Sequence, residues 1–214
     1  TLAFKRRDNE STAALRMSVV GAKRDASRLV ASEPLSGVIR HYRGAEATPA
    51  SLAVETQAYA RVTRPTLDRV REALFSILGD LSGAIVVDFY AGSGALGLEA
   101  LSRGASFATL VEADRQAAAV IRKNVDGWGI EGAHRVVEGT VERSRRSLEE
   151  HSPIDLVLAD PPWSIAAEAA IEVPKVVRGL LAPAAIVVLG HAARDELSLK
   201  AESGLERYDR RSWG

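Results

Sequence analysis

Apolar residues recur at helical spacing in the stretch that follows Arg64. They occupy positions i, i+3, i+4, i+7, i+8 and i+11, namely Val70, Ala73, Leu74, Ile77, Leu78 and Leu81. This spacing puts them on one face of a helix, which is typical of an amphipathic helix packed against a core. The preceding RPT at 64–66 ends one element and starts the next.

Beyond Gly83, short apolar runs alternate with helical patterns. The runs predict buried strands at 84–89, 107–112, 134–139, 154–160 and 185–190, and a sixth strand at 204–213. Helices are predicted at 95–104, from Asp114 onward, at 141–150 and at 165–181. This alternation predicts an α/β fold with a doubly wound, mostly parallel sheet covered on both faces. Ligands bind such sheets at the carboxyl ends of the strands.

The front of the chain has a weaker pattern, and we divide the sequence into three parts. Residues 1–36 show no strong period and predict a short N-terminal extension that is partly helical or flexible. Residues 37–63 combine a basic strand and turn, GVIRHYRG at 37–44, with a linker. Residues 64–214 carry the α/β pattern and form one domain.

Composition excludes several classes of protein. The chain has 46% apolar residues, but no run reaches the ~18 apolar residues of a membrane span. The absence of cysteine excludes a disulfide scaffold, a thiolate zinc site and a cysteine nucleophile. Four scattered histidines argue against a histidine-rich metal site. We therefore expect a soluble cytoplasmic protein with no metal and no membrane partner.

Charge is distributed unevenly, although the net charge is +0. Residues 1–72 carry 13 Lys and Arg against 8 Asp and Glu, whereas residues 73–214 carry 15 against 20. A basic front and an acidic body favour a polyanion as the partner of the front part. Solvated surface explains such a surplus equally well.

The first candidate site is the glycine-rich sequence DFYAGSGALG at 88–97, between a predicted strand and a predicted helix. Gly92 and Gly94 allow positive φ angles and a close approach of the backbone to a ligand. Free N–H groups at the start of the helix can meet a carboxylate or a phosphate. Glu112 ends the next strand, where its carboxylate can accept both hydroxyls of a ribose. The loop therefore predicts a cofactor that contains a nucleoside.

The identity of that cofactor stays open between three interpretations. GSGALG at 92–97 fits the dinucleotide pattern G-x-G-x-x-G, which indicates NAD. Asp88 places an anion beside the loop, which suits the cationic sulfonium and amine of S-adenosylmethionine and would repel a pyrophosphate. A turn that only packs the helix on the strand is the third interpretation. We favour S-adenosylmethionine.

The second candidate site is DPPW at 160–163, which follows the predicted fourth strand. Asp160 and the Pro161 carbonyl can accept two hydrogen bonds from one planar amino group, and the two prolines restrict the direction of that carbonyl. Trp163 offers a flat face on which a base can stack. These groups can hold an exocyclic amine in line with a methyl donor. The alternative is that Pro-Pro ends the strand while Trp163 fills the core.

Four blocks of the sequence together resemble the RsmD family of bacterial 16S rRNA guanine-N2 methyltransferases. They are RPTLDRVREALFSIL (64–78), VDFYAGSGALGLEALSRGA (87–105), VEAD (111–114) and DLVLADPPW (155–163). GVIRHYRG is also similar to the family's basic first strand and turn, whereas 45–61 matches poorly. The resemblance covers roughly 62–213 and implies the Rossmann-like fold of class I S-adenosylmethionine-dependent methyltransferases.

The resemblance also implies site residues. The cofactor-binding residues are Asp88, Tyr90, Ala91, Gly92, Ser93, Gly94, Glu112 and Ala113, with Glu112 as the ribose acid. The catalytic residues are Asp160, Pro161, Pro162 and Trp163, which match the family's D-P-P-Y motif with Trp in place of Tyr. For the RNA, we add six candidate phosphate contacts from the basic front: Arg40, Arg43, Arg61, Arg64, Arg69 and Arg71.

The end of the chain departs from the family pattern. Family members follow the sixth strand with a seventh, which inserts antiparallel beside the fifth, and nothing here follows Gly214. We therefore expect the seventh strand to be missing.

The implied reaction is methyl transfer from S-adenosylmethionine to the N2 amine of a guanine in 16S rRNA. We expect a monomer that acts on the rRNA or on the assembling small ribosomal subunit. The residues alone leave other nucleobase amines open, namely adenine N6 and cytosine N4 in RNA or DNA. An NAD-dependent oxidoreductase and a non-catalytic RNA-binding module are alternatives from other classes.

Overall fold

Strands and helices alternate from residue 68 onward in the computed structural model, which describes residues 15–22, 68–126, 130, 132–192 and 205–213. The strands are β1 (Leu15–Ala22), β2 (Ile85–Phe89), β3 (Phe107–Glu112), β4 (His134–Glu138), β5 (Ile154–Ala159), β6 (Leu181–Ala192) and β7 (Leu205–Trp213). The helices are α1 (Asp68–Leu78), α2 (Ala95–Ser102), α3 (Arg115–Asp126), α4 (Val141–Glu149) and α5 (Ala166–Val177). These elements confirm the predicted alternation. The predicted strand and linker at 37–63 lie outside the described residues.

The described residues form one sheet with the strand order β4-β3-β2-β5-β6-β1-β7. The five neighbouring strands β4, β3, β2, β5 and β6 are parallel, as predicted. The order reverses between β2 and β5, because β3 and β4 lie on one side of β2 while β5 and β6 lie on the other. A crevice for a ligand is expected at the carboxyl ends of these two strands. None of the described helices is long and apolar enough to cross a membrane.

The central strands bury side chains on both faces, which explains their unbroken apolar runs. One core cluster includes Leu110 of β3 and Leu158 of β5, packed with Leu74 of α1 and Ile121 of α3. The second cluster lies on the opposite face and includes Val111, the neighbour of Leu110, together with side chains of α4 and α5. The helices therefore cover both faces of the sheet.

The strand β1 corrects two expectations from the sequence. It lies between β6 and β7 and is antiparallel to both, with Ser18 opposite Leu189 on one side and Arg210 on the other. The position between β6 and β7 is the one that the missing seventh strand was expected to leave empty. A strand from the N-terminal part of the chain occupies it instead. Part of residues 1–36 therefore belongs to the sheet rather than to an extension outside it.

Because β1 pairs on both edges, proline within it should destabilise the fold. We expect Ser18→Pro to lower the free energy of unfolding by about 1–3 kcal/mol, since a ladder N–H is lost between two paired strands. Urea denaturation would measure this, with Ser18→Ala as the control because it keeps the backbone N–H. Equal unfolding midpoints for the two variants would show that β1 does not stabilise the sheet.

Candidate functional site

The glycine loop, residues 90–94, connects the carboxyl end of β2 to α2. Tyr90, Gly92 and Gly94 have φ angles of 58°, 58° and 83°. Glycine adopts this region readily, whereas Tyr90 holds a conformation that costs on the order of 1–3 kcal/mol for a residue with a side chain. The Tyr90 hydroxyl donates a hydrogen bond to Glu172 Oε2 of α5 at 3.3 Å. The strained residue is therefore tied to a helix that follows the second candidate site.

Asp88 is 1% exposed and lies under the loop. Its Oδ2 accepts the Gly97 N–H of α2 at 2.8 Å, and its buried Oδ1 has no hydrogen-bond partner among the described residues. Burial, reinforced by the carboxylates of Asp160 and Glu112, raises the pKa of Asp88 to about 8, against the lowering effect of the Gly97 hydrogen bond. The ligand-free protein therefore keeps Asp88 mostly protonated at neutral pH, which corrects its description as an anion.

Glu112, at the end of β3, uses both carboxylate oxygens. Its Oε2 accepts the Gly92 N–H at 2.8 Å, and its Oε1 accepts the Asp114 N–H at 2.8 Å. The exposed Ala113 lies between these two acids in the sequence. The side chain is thus oriented beside the loop before any ligand binds, and its role as ribose acceptor stays a prediction.

These contacts use N–H groups that a bound anion would need. Gly92 and Gly97 donate to carboxylates, and Gly94 donates to the Ala91 carbonyl oxygen at 2.7 Å. The expectation of free N–H groups at the start of the helix is therefore wrong for Gly94 and Gly97, and the N–H of Gly92 in the loop is also used. A pyrophosphate would have to displace the protein's own acids and lie against them. The geometry disfavours the dinucleotide interpretation and favours a ligand with a positive charge.

Asp160 follows β5, the strand that pairs with β2. The register aligns Ala159 with Phe89, so Asp160 and the glycine loop leave the sheet at the same edge. The carboxylate of Asp160 is close enough to Asp88 to raise its pKa. The structure therefore brings together the two candidate sites predicted from separate parts of the sequence.

The rest of the DPPW motif differs in exposure. Pro161 is buried and Pro162 is exposed, and Trp163 is half-buried at the start of a short 3₁₀ turn, Trp163–Ile165. The Trp163 ring packs against the core cluster on the α1 side of the sheet. Base stacking by Trp163 stays a prediction, and it would use the part of the ring that the core leaves exposed.

Three contacts around the site were not found from the sequence. Gly190 of β6 leaves room for Asp160, since a Cβ there would overlap Oδ1 and lie 3.1 Å from Cγ. Asn124 of α3 donates from Nδ2 to the Ser93 carbonyl oxygen at 2.9 Å. The Tyr90–Glu172 contact joins residues 82 positions apart. A glycine within an apolar strand was the one available signal, because such a position often marks a close approach.

The candidate RNA contacts are described only in part. Arg40, Arg43, Arg61 and Arg64 lie outside the described residues, and Arg69 belongs to α1. Arg71 is 8% exposed, and its Nε lies 3.5 Å from Glu99 Oε2 of α2. This ion pair favours a role for Arg71 in packing α1 on α2 over the predicted phosphate contact.

A family comparison covers the part of the chain that carries both motifs. Residues 53–214, about three quarters of the chain, match the family described as Conserved hypothetical protein 95. The chain belongs to this family, the RsmD family. The five parallel strands, covered by helices on both faces, form the doubly wound α/β fold that the sequence predicted.

RsmD-family relatives match the chain over part of their length. Ribosomal RNA small subunit methyltransferase D of Escherichia coli K12 is 44% identical over 101 residues, which are 47% of this chain and 50% of that protein. The protein of the same name from Buchnera aphidicola (Acyrthosiphon pisum) is 33% identical over 101 residues, 47% of this chain and 52% of its own. The chain spans about half the length of these curated relatives.

A solved structure is also similar. A conserved hypothetical protein of Streptococcus pyogenes shares 35% identity, covers 52% of this chain and 69% of its own, and has a TM-score of 0.47.

The pKa of Asp88 should make stability depend on pH. Its pKa is 3.8 for the free side chain and about 8 in the fold, so between these values the folded protein binds more protons than the unfolded chain. The contribution to stability is therefore full below about pH 4 and is lost as the pH rises through about 8. We expect Asp88→Asn, which keeps an acceptor for Gly97, to flatten this decline and to be more stable than the wild type near pH 8.

Urea unfolding near pH 5.5 and near pH 8 would measure this difference. Asp126→Asn, at an exposed position at the end of α3, is the matched control. Identical pH slopes for the wild type and Asp88→Asn would contradict the assignment of a protonated Asp88.

Proposed function

We propose that this chain transfers a methyl group from S-adenosylmethionine to the exocyclic N2 amine of a guanine in 16S rRNA. The proposed target is the free rRNA or the assembling small ribosomal subunit in the cytoplasm, and the proposed active form is a monomer. Membership of the RsmD family and the names of its curated relatives support the rRNA as substrate. The arrangement of acids at three neighbouring strand ends supports the chemistry.

One observation carries the proposal. At the ends of β2 and β3, Glu112 holds the glycine loop and Asp88 holds the first turn of α2, while Asp160 follows β5, the neighbour of β2. A cation fits between such groups because an opposite charge favours the ionised carboxylate. Bound there, it would lower the pKa of Asp88 again and release its proton. Asp88 Oδ1, which has no hydrogen-bond partner in the described part of the chain, is a further acceptor that such a ligand would satisfy.

The residues divide into two groups in this mechanism. Glu112 would accept the ribose hydroxyls, and Asp88 would face the cationic part of the donor. S-adenosylmethionine supplies a methyl group on a sulfonium, which is electrophilic enough for transfer without a covalent enzyme intermediate. Asp160 and the Pro161 carbonyl would accept hydrogen bonds from the target amine and align its nitrogen with that methyl group.

The chemistry on the acceptor side needs orientation and charge more than a strong base. Positive charge develops on the amine nitrogen during transfer, and the Asp160 carboxylate would stabilise it. The proton can leave for solvent after the new bond has formed. The base must leave its stack to reach Asp160, and Trp163 would then receive it. Such a site suits any planar nucleobase amine, and the family resemblance selects guanine among them.

The cofactor can be tested by ligand-induced stabilisation. We expect S-adenosylhomocysteine to raise the melting temperature, whereas NAD should not. Glu112→Ala should weaken binding of S-adenosylhomocysteine by about 1–3 kcal/mol in calorimetry, because a charge-assisted hydrogen bond is lost. Glu142→Ala, at an exposed position of α4, is the control. Stabilisation by NAD alone would favour the oxidoreductase instead.

The catalytic motif can be tested separately from cofactor binding. Asp160→Ala should keep its affinity for S-adenosylhomocysteine and lower the methyl-transfer rate by about 100-fold, as expected for loss of one preorganised acceptor. Asp160→Asn should be milder, because its amide oxygen still accepts one hydrogen bond. Single-turnover methylation of a 16S rRNA fragment would measure both, with exposed Glu168→Ala as the control. A wild-type rate for Asp160→Ala would leave the motif as a strand terminator only.

A further inference from the structure

Asn124 connects helix α3 to the glycine loop. Its Nδ2 donates a hydrogen bond to the Ser93 carbonyl oxygen at 2.9 Å, across 31 positions of sequence. The side chain is half-buried, in the last turn of α3 next to the buried Val125. Asn is a weaker helix former than Ala, so the helix itself does not explain this residue. Its side-chain amide instead forms a hydrogen bond with the glycine loop.

The peptide unit between Ser93 and Gly94 is held from two sides. Asn124 binds its carbonyl oxygen, while its N–H, on Gly94, donates to the Ala91 carbonyl oxygen at 2.7 Å. The φ angle of Gly94 is 83°, and this residue precedes the first turn of α2. A rotation of this peptide would therefore redirect both the loop and the start of the helix.

Helix α3 also packs against the glycine loop through an apolar side chain. Ile121 lies one turn before Asn124, and a Cβ added to Gly94 would lie 3.2 Å from Ile121 Cγ2 and 3.0 Å from Leu110 Cδ2. The back of the loop is thus closed by α3 and β3 together. The Ile121 contact limits movement of Gly94 toward α3. The Asn124 hydrogen bond restrains the orientation of the Ser93–Gly94 peptide.

We propose that Asn124 is a positioning residue that holds the Ser93–Gly94 peptide in the conformation required for binding the methyl donor. This inference rests on the proposed function for the identity of the ligand. Asn124 does not touch the ligand in this proposal and acts through the loop backbone. Its loss should therefore weaken binding of the cofactor while leaving the folded core intact.

The test compares four variants of the full chain. Asn124→Ala removes the donor, Asn124→Asp keeps the size but has no N–H to donate, and Asn124→Gln keeps the amide on a longer side chain. Gln116→Ala is the matched control, because Gln116 is exposed on the same helix. We expect about 10-fold weaker binding of S-adenosylhomocysteine for Asn124→Ala and at least as large a loss for Asn124→Asp. Asn124→Gln should recover part of it, and Gln116→Ala should match the wild type.

Thermal unfolding and hydrogen exchange distinguish positioning from plain stabilisation. We expect a melting temperature near that of the wild type for Asn124→Ala, with faster exchange of the Gly94 amide. A lowered melting temperature with unchanged affinity would show a purely structural role and overturn the inference. Unchanged affinity together with unchanged Gly94 exchange would also overturn it.

Hydrogen exchange also separates this inference from the proposed function. If wild-type protein does not bind S-adenosylhomocysteine, the proposed donor is wrong. Faster Gly94 exchange in Asn124→Ala than in Gln116→Ala would then still support positioning of the loop by Asn124, whereas equal exchange would refute it.

Discussion

Two hydrogen bonds from backbone to carboxylate hold the glycine loop and the first turn of α2, on which the whole candidate site depends. Glu112 Oε2 binds the Gly92 N–H, and Asp88 Oδ2 binds the Gly97 N–H, each at 2.8 Å. The Glu112 bond depends on the parallel pairing of β2 and β3, whose register aligns Phe89 with Val111, whereas the Asp88 bond is made within the segment from β2 to α2. A shift of one residue in β3 would turn Glu112 to the other face of the sheet, away from the Gly92 N–H. The packing of the central strands therefore determines the geometry of the loop.

The same arrangement creates an electrostatic conflict that only a ligand resolves fully. Burial and the carboxylates of Asp160 and Glu112 raise the pKa of Asp88 to about 8 at the carboxyl edge of the sheet. The Asp88 carboxyl is therefore mostly protonated at neutral pH, and its buried Oδ1 has no hydrogen-bond partner among the residues that the structure describes. Such a site is a poor host for a phosphate and a good one for a cation. Charge thus distinguishes this glycine loop from a dinucleotide-binding one with the same spacing of glycines.

Local patterns in the sequence were sufficient for most of the fold and for bringing the two candidate motifs to one edge of the sheet. The apolar runs at β2, β3 and β5 predicted strands buried on both faces, and the acids at the ends of these strands predicted the edge where the candidate site lies. Long-range contacts were not predictable in this way. The proton on Asp88 depends on the packing of several elements, and the contacts of Asn124 and Tyr90 join residues 31 and 82 positions apart. The segment LRMSVVGA at 15–22 has no local sign of the two partner strands between which it lies.

The position of β1 between β6 and β7 limits the order in which the sheet can assemble. In the described part of the chain, β7 joins the sheet only through β1, and β1 joins it through β6. During synthesis from the N-terminus, β1 is made first yet has no partner until β6 has emerged. The pairing spans most of the chain, and such non-local contacts form late and slowly. The parallel strands from β2 to β6 can associate earlier, so we expect β1 and β7 to join the sheet last. Until they do, the edge of β6 would be open to pairing with other chains.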